Sequence, residues 1–143
     1  MFTVDDAVEL ARRAHEGQVD KSGRPYFGHP LRVMAAVTTD DERMAAVLHD
    51  VIEDTAVTAT DLLAAGAPAA VVDAVLALTK QPGEPQPDYL ARVAANPTAL
   101  AVKRADIADN SSPARLANLD DATAARLRTK YAESTRILNS LAP

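Results

Sequence analysis

The stretch AAVLHDVIEDT, residues 45–55, lies at the centre of the fold that this sequence predicts. It belongs to a longer segment, 41–53, that is acidic at its start and apolar in its middle, with the apolar residues at helical spacing. We therefore predict a helix over 41–53. Its apolar middle predicts that this helix is packed against others in the core.

Four polar residues interrupt the apolar part of that helix. His49 and Glu53 are four residues apart, and so are Asp50 and Asp54. On a helix each pair lies along one side, and the two pairs are offset by about 100°. Burying such groups without partners is unfavourable, and a bound cation is one way to offset that cost. The alternative is that the acids lie on a solvated face.

Helical spacing recurs along nearly the whole chain, and no segment shows the alternation typical of a strand. Glycine and proline punctuate the pattern and predict loops over 17–28 and 81–87. The sequence therefore predicts an all-α, compact multi-helix bundle that forms a single domain over residues 1–143. Besides 41–53, the predicted helices are 4–16, 29–37, 58–65, 68–79, 87–95, 97–109 and 121–141.

Composition limits the classes of partner. The 143 residues carry a net charge of −5, whereas proteins that coat nucleic acids or anionic membranes usually present a strongly basic face. No apolar run is long enough to span a membrane, and the N-terminus has acidic residues before any basic one, unlike a signal peptide. We expect a cytoplasmic protein that acts on a small molecule, without a nucleic-acid or membrane partner. The sequence does not indicate an oligomeric state.

Further polar groups lie in apolar helical surroundings. His29 stands at the start of one predicted helix, and Asp106 and Asn110 are four residues apart on another. The chain has no cysteine, so metal ligands must be His, Asp or Glu. His29, His49, Asp50 and Asp106 together suit Mn, Fe, Zn or a similar ion, and four protein ligands leave open positions for water and substrate.

Four segments, taken together, resemble a known family. They resemble the HD-domain hydrolases, and specifically the alarmone hydrolase half of the RelA/SpoT enzymes and their small stand-alone relatives. HD alone is a loose signal, but GRPYFGHP followed by HDVIEDT and a Lys-x-Ala-Asp-x-x-x-Asn pattern is specific. The segments are AHEGQVDKSGRPYFGHPLRV (14–33), AAVLHDVIEDTAVT (45–58), LTK (78–80) and VKRADIADN (102–110).

The resemblance implies an activity and roles for individual residues. The family reaction releases pyrophosphate from the 3′ position of guanosine 3′,5′-bis(diphosphate). Glu53 and Asp54 match the pair that handles the attacking water. His29, His49, Asp50 and Asp106 match ligands of one divalent ion, commonly Mn²⁺, and other transition metals also suit them. Positions that match substrate contacts are Lys21, Lys80, Asn110, Arg128 and Tyr131.

Two departures from the family pattern leave the substrate open. Asp20 stands where these hydrolases usually carry an arginine, and Pro113 stands where the long members usually carry a threonine. The alternatives are another nucleotide, such as ppApp, NADPH or a nucleoside monophosphate, or a non-catalytic nucleotide-binding domain. Because 143 residues leave no room for a synthetase domain, we expect hydrolysis only. Three histidines are too few for the His-rich two-metal sites of other HD enzymes, so we expect one ion.

Overall fold

The structure is a computed structural model that describes all 143 residues. It contains ten helices, and its only β pairing is one antiparallel bridge between Val19 and Pro25. The predicted all-α class is confirmed. The helices are α1 (Val4–Ala14), α2 (Gly28–Ala35), α3 (Asp40–Leu48), α4 (Val51–Asp54), α5 (Ala59–Ala64), α6 (Ala69–Ala77), α7 (Gln86–Ala94), α8 (Pro97–Asn110), α9 (Pro113–Leu116) and α10 (Asp121–Leu141).

Side-chain caps fix where several helices begin. A threonine precedes α1, α3 and α5, and its hydroxyl accepts the backbone N–H three residues on, while the acidic side chain at that third position accepts the threonine N–H. This reciprocal arrangement satisfies backbone groups that a helix start leaves unpaired, and each such cap stabilises a helix by about 1 kcal/mol. The threonines are Thr3, Thr39 and Thr58.

Helix α3 is the centre of the core. It contacts α1, α2, α6 and α8, and its residues from Met44 to Leu48 are all buried. Small side chains, such as Ala7 and Ala11 of α1, allow the neighbouring helices to approach closely. Burial of a side chain such as Leu48 contributes about 2 kcal/mol. The polar residues His49 and Asp50, which follow α3, are therefore attached to a rigid, closely packed helix.

The predicted helix over 41–53 is wrong in extent, because the chain breaks at His49 and Asp50. In a continuous helix the Ala46 carbonyl would accept the N–H of Asp50, but here it accepts the side-chain Nδ1–H of His49 at 2.6 Å. Asp50 takes φ −102° and ψ 0°, and a separate short turn, α4, follows it. The two pairs predicted to stack on one helix consequently do not share a single helical axis.

The other seven predicted helices are present, with ends that differ from the prediction by no more than two residues. Helix α9, which follows the loop after α8, was not predicted. Its start is capped by Ser112, whose hydroxyl accepts the N–H of Arg115, and Leu116 is buried against α10 in a small second cluster with Ala124 and Leu127.

Helix α10 closes one side of the molecule. It contacts α7 and α8, and Leu138 near its end is fully buried in the main core. Arg104 of α8 fastens that end, donating to Asn139 Oδ1 at 2.8 Å and to the Ala142 carbonyl at 2.9 Å. None of the helices combines the length and the apolar character that crossing a membrane requires.

Candidate metal centre and active site

The four predicted metal ligands come from three parts of the fold and meet in one place. His29 lies in the first turn of α2, His49 and Asp50 lie at the break after α3, and Asp106 lies on α8. Ligand atoms of His29, His49 and Asp106 all lie within 4.8 Å of one another. Asp106 Oδ1 is 2.8 Å from Nε2 of His29 and 3.3 Å from Nε2 of His49, and Asp50 Oδ2 is 3.1 Å from Nε2 of His49.

The orientation of His49 indicates what the cluster binds. Its Nδ1–H donates to the Ala46 carbonyl, so in the neutral imidazole the lone pair is on Nε2. That Nε2 is buried and has no hydrogen-bond partner, although the carboxylates of Asp50 and Asp106 lie beside it. A buried lone pair facing two carboxylates is unfavourable by itself, and a divalent ion coordinated by all of these groups removes the conflict. The residues present therefore fit a metal ion.

The charge state of the carboxylates also suits a metal. Burial raises the pKa of Asp50, but the neighbouring His49 outweighs it and lowers that pKa to about 2. Burial likewise raises the pKa of Asp106, but Lys103 and the two histidines hold it well below its usual range. Burial lowers the pKa of His49, whereas Asp50 and Asp106 raise it and prevail, so Nε2 of His49 binds either a proton or a metal ion. The cluster of His49, Asp50 and Asp106 therefore attracts positive charge.

Tyr26, on the loop before α2, supports the ligand Asp50. Its hydroxyl donates a hydrogen bond to Asp50 Oδ2, and its ring contacts the His15 ring with a centroid separation of 5.1 Å. Burial and the charge of Asp50 raise the pKa of the Tyr26 hydroxyl, so it stays a neutral donor. Sequence reasoning missed this contact, because an aromatic residue on a Gly- and Pro-rich loop gives no signal beyond packing.

Glu53 and Asp54, on α4, form an acidic group with Asp50, with carboxylate oxygens within 4.8 Å of one another. Glu53 Oε1 accepts the backbone N–H of Lys80 at 3.0 Å, which ties α4 to the loop after α6. Burial raises the pKa of Glu53 and of Asp54, and the charge of Asp50 adds to that rise in both. Both side chains can accept a proton more readily than an ordinary surface carboxylate.

All of these groups line one cavity of about 470 Å³. The four metal-ligand candidates, Glu53 and Asp54 are on its wall, together with four of the five predicted substrate contacts: Lys21, Lys80, Asn110 and Tyr131. Asn110 Nδ2 also donates to Asp106 Oδ1 at 3.0 Å, so this residue contacts the metal cluster and the cavity.

Arg128 is the predicted substrate contact that the structure does not bring to the cavity. Its side chain is exposed and lines a neighbouring hollow with Thr135, and that hollow shares Ile107 and Tyr131 with the cavity wall. The reason is helical geometry: on α10 the residues that face the cavity are Lys130, Tyr131 and Ser134, and position 128 lies on a different side of the helix.

Two lysines on the cavity wall were missed by sequence reasoning. Lys103 Nζ lies 3.0 Å from Asp106 Oδ2 and 5.3 Å from the centre of the Tyr89 ring. Burial lowers the pKa of Lys103, but Asp106 outweighs it and the pKa rises. The three-residue spacing of Lys103 and Asp106 on one helix was a usable signal. Lys130 gave no such signal, because a lysine on an amphipathic helix is normally exposed to solvent.

Four basic side chains line this cavity, although the chain is acidic as a whole. Lys21, Lys80, Lys103 and Lys130 all line it. Burial lowers the pKa of Lys130, and the positive charges of the other three lysines lower it further. A cavity whose wall carries both a candidate cation-binding cluster and four lysines suits a ligand that carries several phosphate charges.

A family model and several curated proteins match parts of this chain. A family model described as HD domain matches residues 7–107, which include every candidate metal ligand. The bifunctional (p)ppGpp synthase/hydrolase SpoT of Escherichia coli K12 is 52% identical over 60 residues, covering 39% of this chain and 8% of that enzyme. A guanosine-3′,5′-bis(diphosphate) 3′-pyrophosphohydrolase of Vibrio cholerae is 48% identical over 77 residues, covering 50% of this chain and 11% of that enzyme.

The chain thus matches only about a tenth of the length of these curated relatives. Among solved structures, one described as a metazoan ortholog of SpoT that hydrolyzes ppGpp superposes with a TM-score of 0.78. That match covers 94% of this chain and 84% of the other at 23% sequence identity, which shows a shared fold.

Proposed function

Because this chain belongs to the HD domain family, we propose that it is a metal-dependent phosphohydrolase and that its substrate is guanosine 3′,5′-bis(diphosphate), ppGpp. The observation that carries the proposal is the buried, unpartnered Nε2 of His49 beside Asp50 and Asp106, at the edge of a cavity lined by four lysines. The relatives from Escherichia coli and Vibrio cholerae, whose names state (p)ppGpp hydrolysis, support this choice of substrate.

His29, His49, Asp50 and Asp106 would hold one divalent ion, and we propose Mn²⁺. When bound, such an ion supplies Lewis-acid chemistry, which polarises a phosphoryl oxygen and makes a water molecule more acidic. The two imidazoles and two carboxylates are borderline-to-hard ligands that suit a first-row transition metal. Tyr26 and Asn110 hold Asp50 and Asp106, respectively, by hydrogen bonds that do not depend on the ion.

Glu53 and Asp54 are the proposed proton acceptors for the attacking water. Both lie on the cavity wall next to the ligand Asp50, and the raised pKa of each brings its proton affinity closer to neutral pH. Glu53 is held in place because its carboxylate accepts the Lys80 N–H at 3.0 Å. The water oxygen would bond to the phosphorus on the ribose 3′ oxygen, the bond from that phosphorus to the 3′ oxygen would break, and the 3′ oxygen would leave as a hydroxyl.

The lysines are the proposed partners of the substrate phosphates. Lys21, Lys80 and Lys130 line the cavity without a carboxylate partner within ion-pair distance, so their ammonium groups are free for phosphate oxygens. Lys80 is oriented by Gln86, which accepts from its Nζ at 2.9 Å. Tyr131 lines the same cavity and offers a ring face to a nucleobase.

Product analysis with purified protein tests this proposal. The chain is incubated with ppGpp, ppApp, NADPH or a nucleoside 3′-monophosphate, each with and without Mn²⁺, with His49→Ala as the inactive control. We expect one pyrophosphate and one GDP per ppGpp, only with metal present. Release of orthophosphate alone would contradict the 3′-pyrophosphohydrolase assignment, and faster turnover of another nucleotide would replace the substrate. Binding of ppGpp without turnover would support a non-catalytic domain.

We also propose that residues 1–143 act as one hydrolase domain, because α10, outside the matched family segment, packs against α7 and α8 and supplies Lys130 and Tyr131 to the cavity. A cytoplasmic location and the absence of nucleic-acid and membrane partners stay predictions from the sequence.

A further inference from the structure

Asp109 lies on α8, three residues after Asp106, and is surrounded by donors. Its Oδ2 is 2.6 Å from His29 Nδ1 and 3.0 Å from Arg115 Nη1, and its Oδ1 is 2.8 Å from Arg32 Nε. The side chain is only 13% exposed, so these contacts are shielded from water. Neither the cavity wall nor the metal cluster includes Asp109. Its carboxylate stands behind His29, on the side away from Asp106.

The partners of Asp109 fix where the proton of His29 is. Asp109 Oδ1 accepts from Arg32 Nε and Oδ2 accepts from Arg115 Nη1, so two guanidinium groups, which have only donors, hold this carboxylate as an acceptor. His29 Nδ1 therefore carries a hydrogen that it donates to Asp109. Arg115 Nη1 also lies 3.2 Å from this nitrogen, but a guanidinium has only donors and cannot accept that hydrogen. In the neutral imidazole the lone pair of His29 is consequently on Nε2, which faces Asp106 Oδ1 at 2.8 Å.

The same contacts form a closed ring that joins two candidate ligands. His29 contacts Asp109, which accepts from Arg115; Arg115 Nη1 donates to Asn110 Oδ1 at 2.7 Å; and Asn110 Nδ2 donates to Asp106 Oδ1 at 3.0 Å. Asp106 Oδ1 returns to His29 Nε2 at 2.8 Å. Arg115 belongs to the short helix α9, so the turn that sequence reasoning did not predict supplies the ring's only cation.

We propose that Asp109 is a positioning residue for the metal centre: it holds the His29 ring with Nε2 toward the ion, and Arg115 connects it to Asn110 at the substrate cavity. This inference rests on the proposed function, since it assigns Asp109 a role only if His29 binds metal. A carboxylate on the far nitrogen fixes the orientation of a metal-binding imidazole and makes it a stronger ligand. Arg115 neutralises that carboxylate and fixes which way the Asn110 amide faces.

Arg32 provides the matched control. Its Nε lies 2.8 Å from Asp109 Oδ1, the carboxylate oxygen that does not contact His29. The Arg32 side chain is 48% exposed. An Arg32→Ala variant loses an ion pair with Asp109 while it leaves the contacts to His29 and Arg115 in place. If Asp109 acted merely as the partner of a surface arginine, Asp109→Ala and Arg32→Ala would have equal effects.

The test is calorimetric titration of Mn²⁺ into metal-free wild type, Asp109→Ala, Asp109→Asn and Arg32→Ala. We expect Asp109→Ala to bind Mn²⁺ about 10- to 100-fold more weakly than wild type. Asp109→Asn, whose amide oxygen can still accept from His29, should lose less, and Arg32→Ala should stay within about twofold. The proton NMR signal of the His29 Nδ1–H, shifted downfield by its short hydrogen bond, should disappear in Asp109→Ala and persist in Arg32→Ala.

Wild-type affinity in Asp109→Ala, or equal losses in Asp109→Ala and Arg32→Ala, would overturn this inference and leave the proposed function intact. A wild-type chain that binds no Mn²⁺ would overturn both. If Asp109→Ala does not fold, as judged by circular dichroism, the nearly isosteric Asp109→Asn variant decides, and unchanged affinity together with an unchanged His29 signal would contradict the positioning role.

Discussion

His49 Nε2 lies 3.3 Å from Asp106 Oδ1, yet no hydrogen bond joins them. In the neutral imidazole the hydrogen is on the opposite nitrogen, so a lone pair faces a carboxylate inside the protein unless a proton or a metal ion lies between them. Such a contact persists in a folded protein when a cation lies between the two groups. This contact joins the end of α3 to α8.

Asp106→Ala should abolish binding of the metal ion. Asp106 is the carboxylate that both histidines approach, and its removal also leaves the Lys103 ammonium without its partner, so a positive charge would replace a negative one at the site. Elemental analysis after dialysis against Mn²⁺ measures the outcome. Asp73→Ala, which removes an exposed carboxylate of α6, is the control and should keep the metal. Metal retention in Asp106→Ala at the wild-type level would contradict the ligand assignment.

Glu53→Gln should keep the metal and lose most of the turnover. The glutamine side-chain oxygen can still accept the Lys80 N–H, so the geometry of α4 is retained, but the side chain can no longer take a proton. Removal of a general base lowers kcat by about 10²- to 10⁴-fold. Steady-state kinetics with ppGpp and metal analysis of the same sample measure both quantities. A kcat equal to that of wild type would remove Glu53 from the mechanism, and Asp54→Asn would then identify the acceptor.

Lys130→Ala should weaken substrate binding, whereas Arg128→Ala should not. Both are exposed basic residues of α10, but only Lys130 lines the cavity. A charge-assisted hydrogen bond to a phosphate contributes about 1.5 to 3 kcal/mol, so KM for ppGpp should rise about 10- to 100-fold in Lys130→Ala. The two variants lose one positive charge each, so they are matched in net charge. A larger rise in Arg128→Ala would restore the assignment made from the sequence.

Leu138→Ala should destabilise the fold by about 2 to 4 kcal/mol, because Leu138 is fully buried where α10 joins the core. Leu141→Ala, three residues further on, is the control, since that side chain is half exposed and should change stability by less than about 0.5 kcal/mol. Chemical denaturation followed by circular dichroism gives both values. Equal stability of the two variants would show that the end of α10 does not depend on this contact.

The sequence predicted most of the helices, and it singled out four side chains that the structure brings together, for local reasons. Most helices carry their own apolar spacing, and several begin at a side-chain cap. His29, His49, Asp50 and Asp106 lie in short segments that could be compared directly with a family pattern. These signals need no knowledge of distant contacts. They therefore give most of the elements, and the residues that meet in the cluster, before any tertiary structure is known.

The remaining features depend on tertiary contacts or on competition between local hydrogen bonds. The helix breaks at His49, where the His49 side chain donates a hydrogen bond to the Ala46 carbonyl. The spacing of apolar residues does not reveal this hydrogen bond. The side of α10 that faces the cavity is set by packing, so Lys130 rather than Arg128 lies on its wall. Arg115 lies 86 residues after His29, and no local pattern indicates that the two side chains meet.

The most direct test of the metal centre is a crystal structure of the chain soaked in Mn²⁺, with anomalous scattering measured to locate the ion. We predict one anomalous peak bonded to Nε2 of His29, Nε2 of His49 and the carboxylates of Asp50 and Asp106. No peak at this position, or a peak held only by Asp50, Glu53 and Asp54, would contradict it.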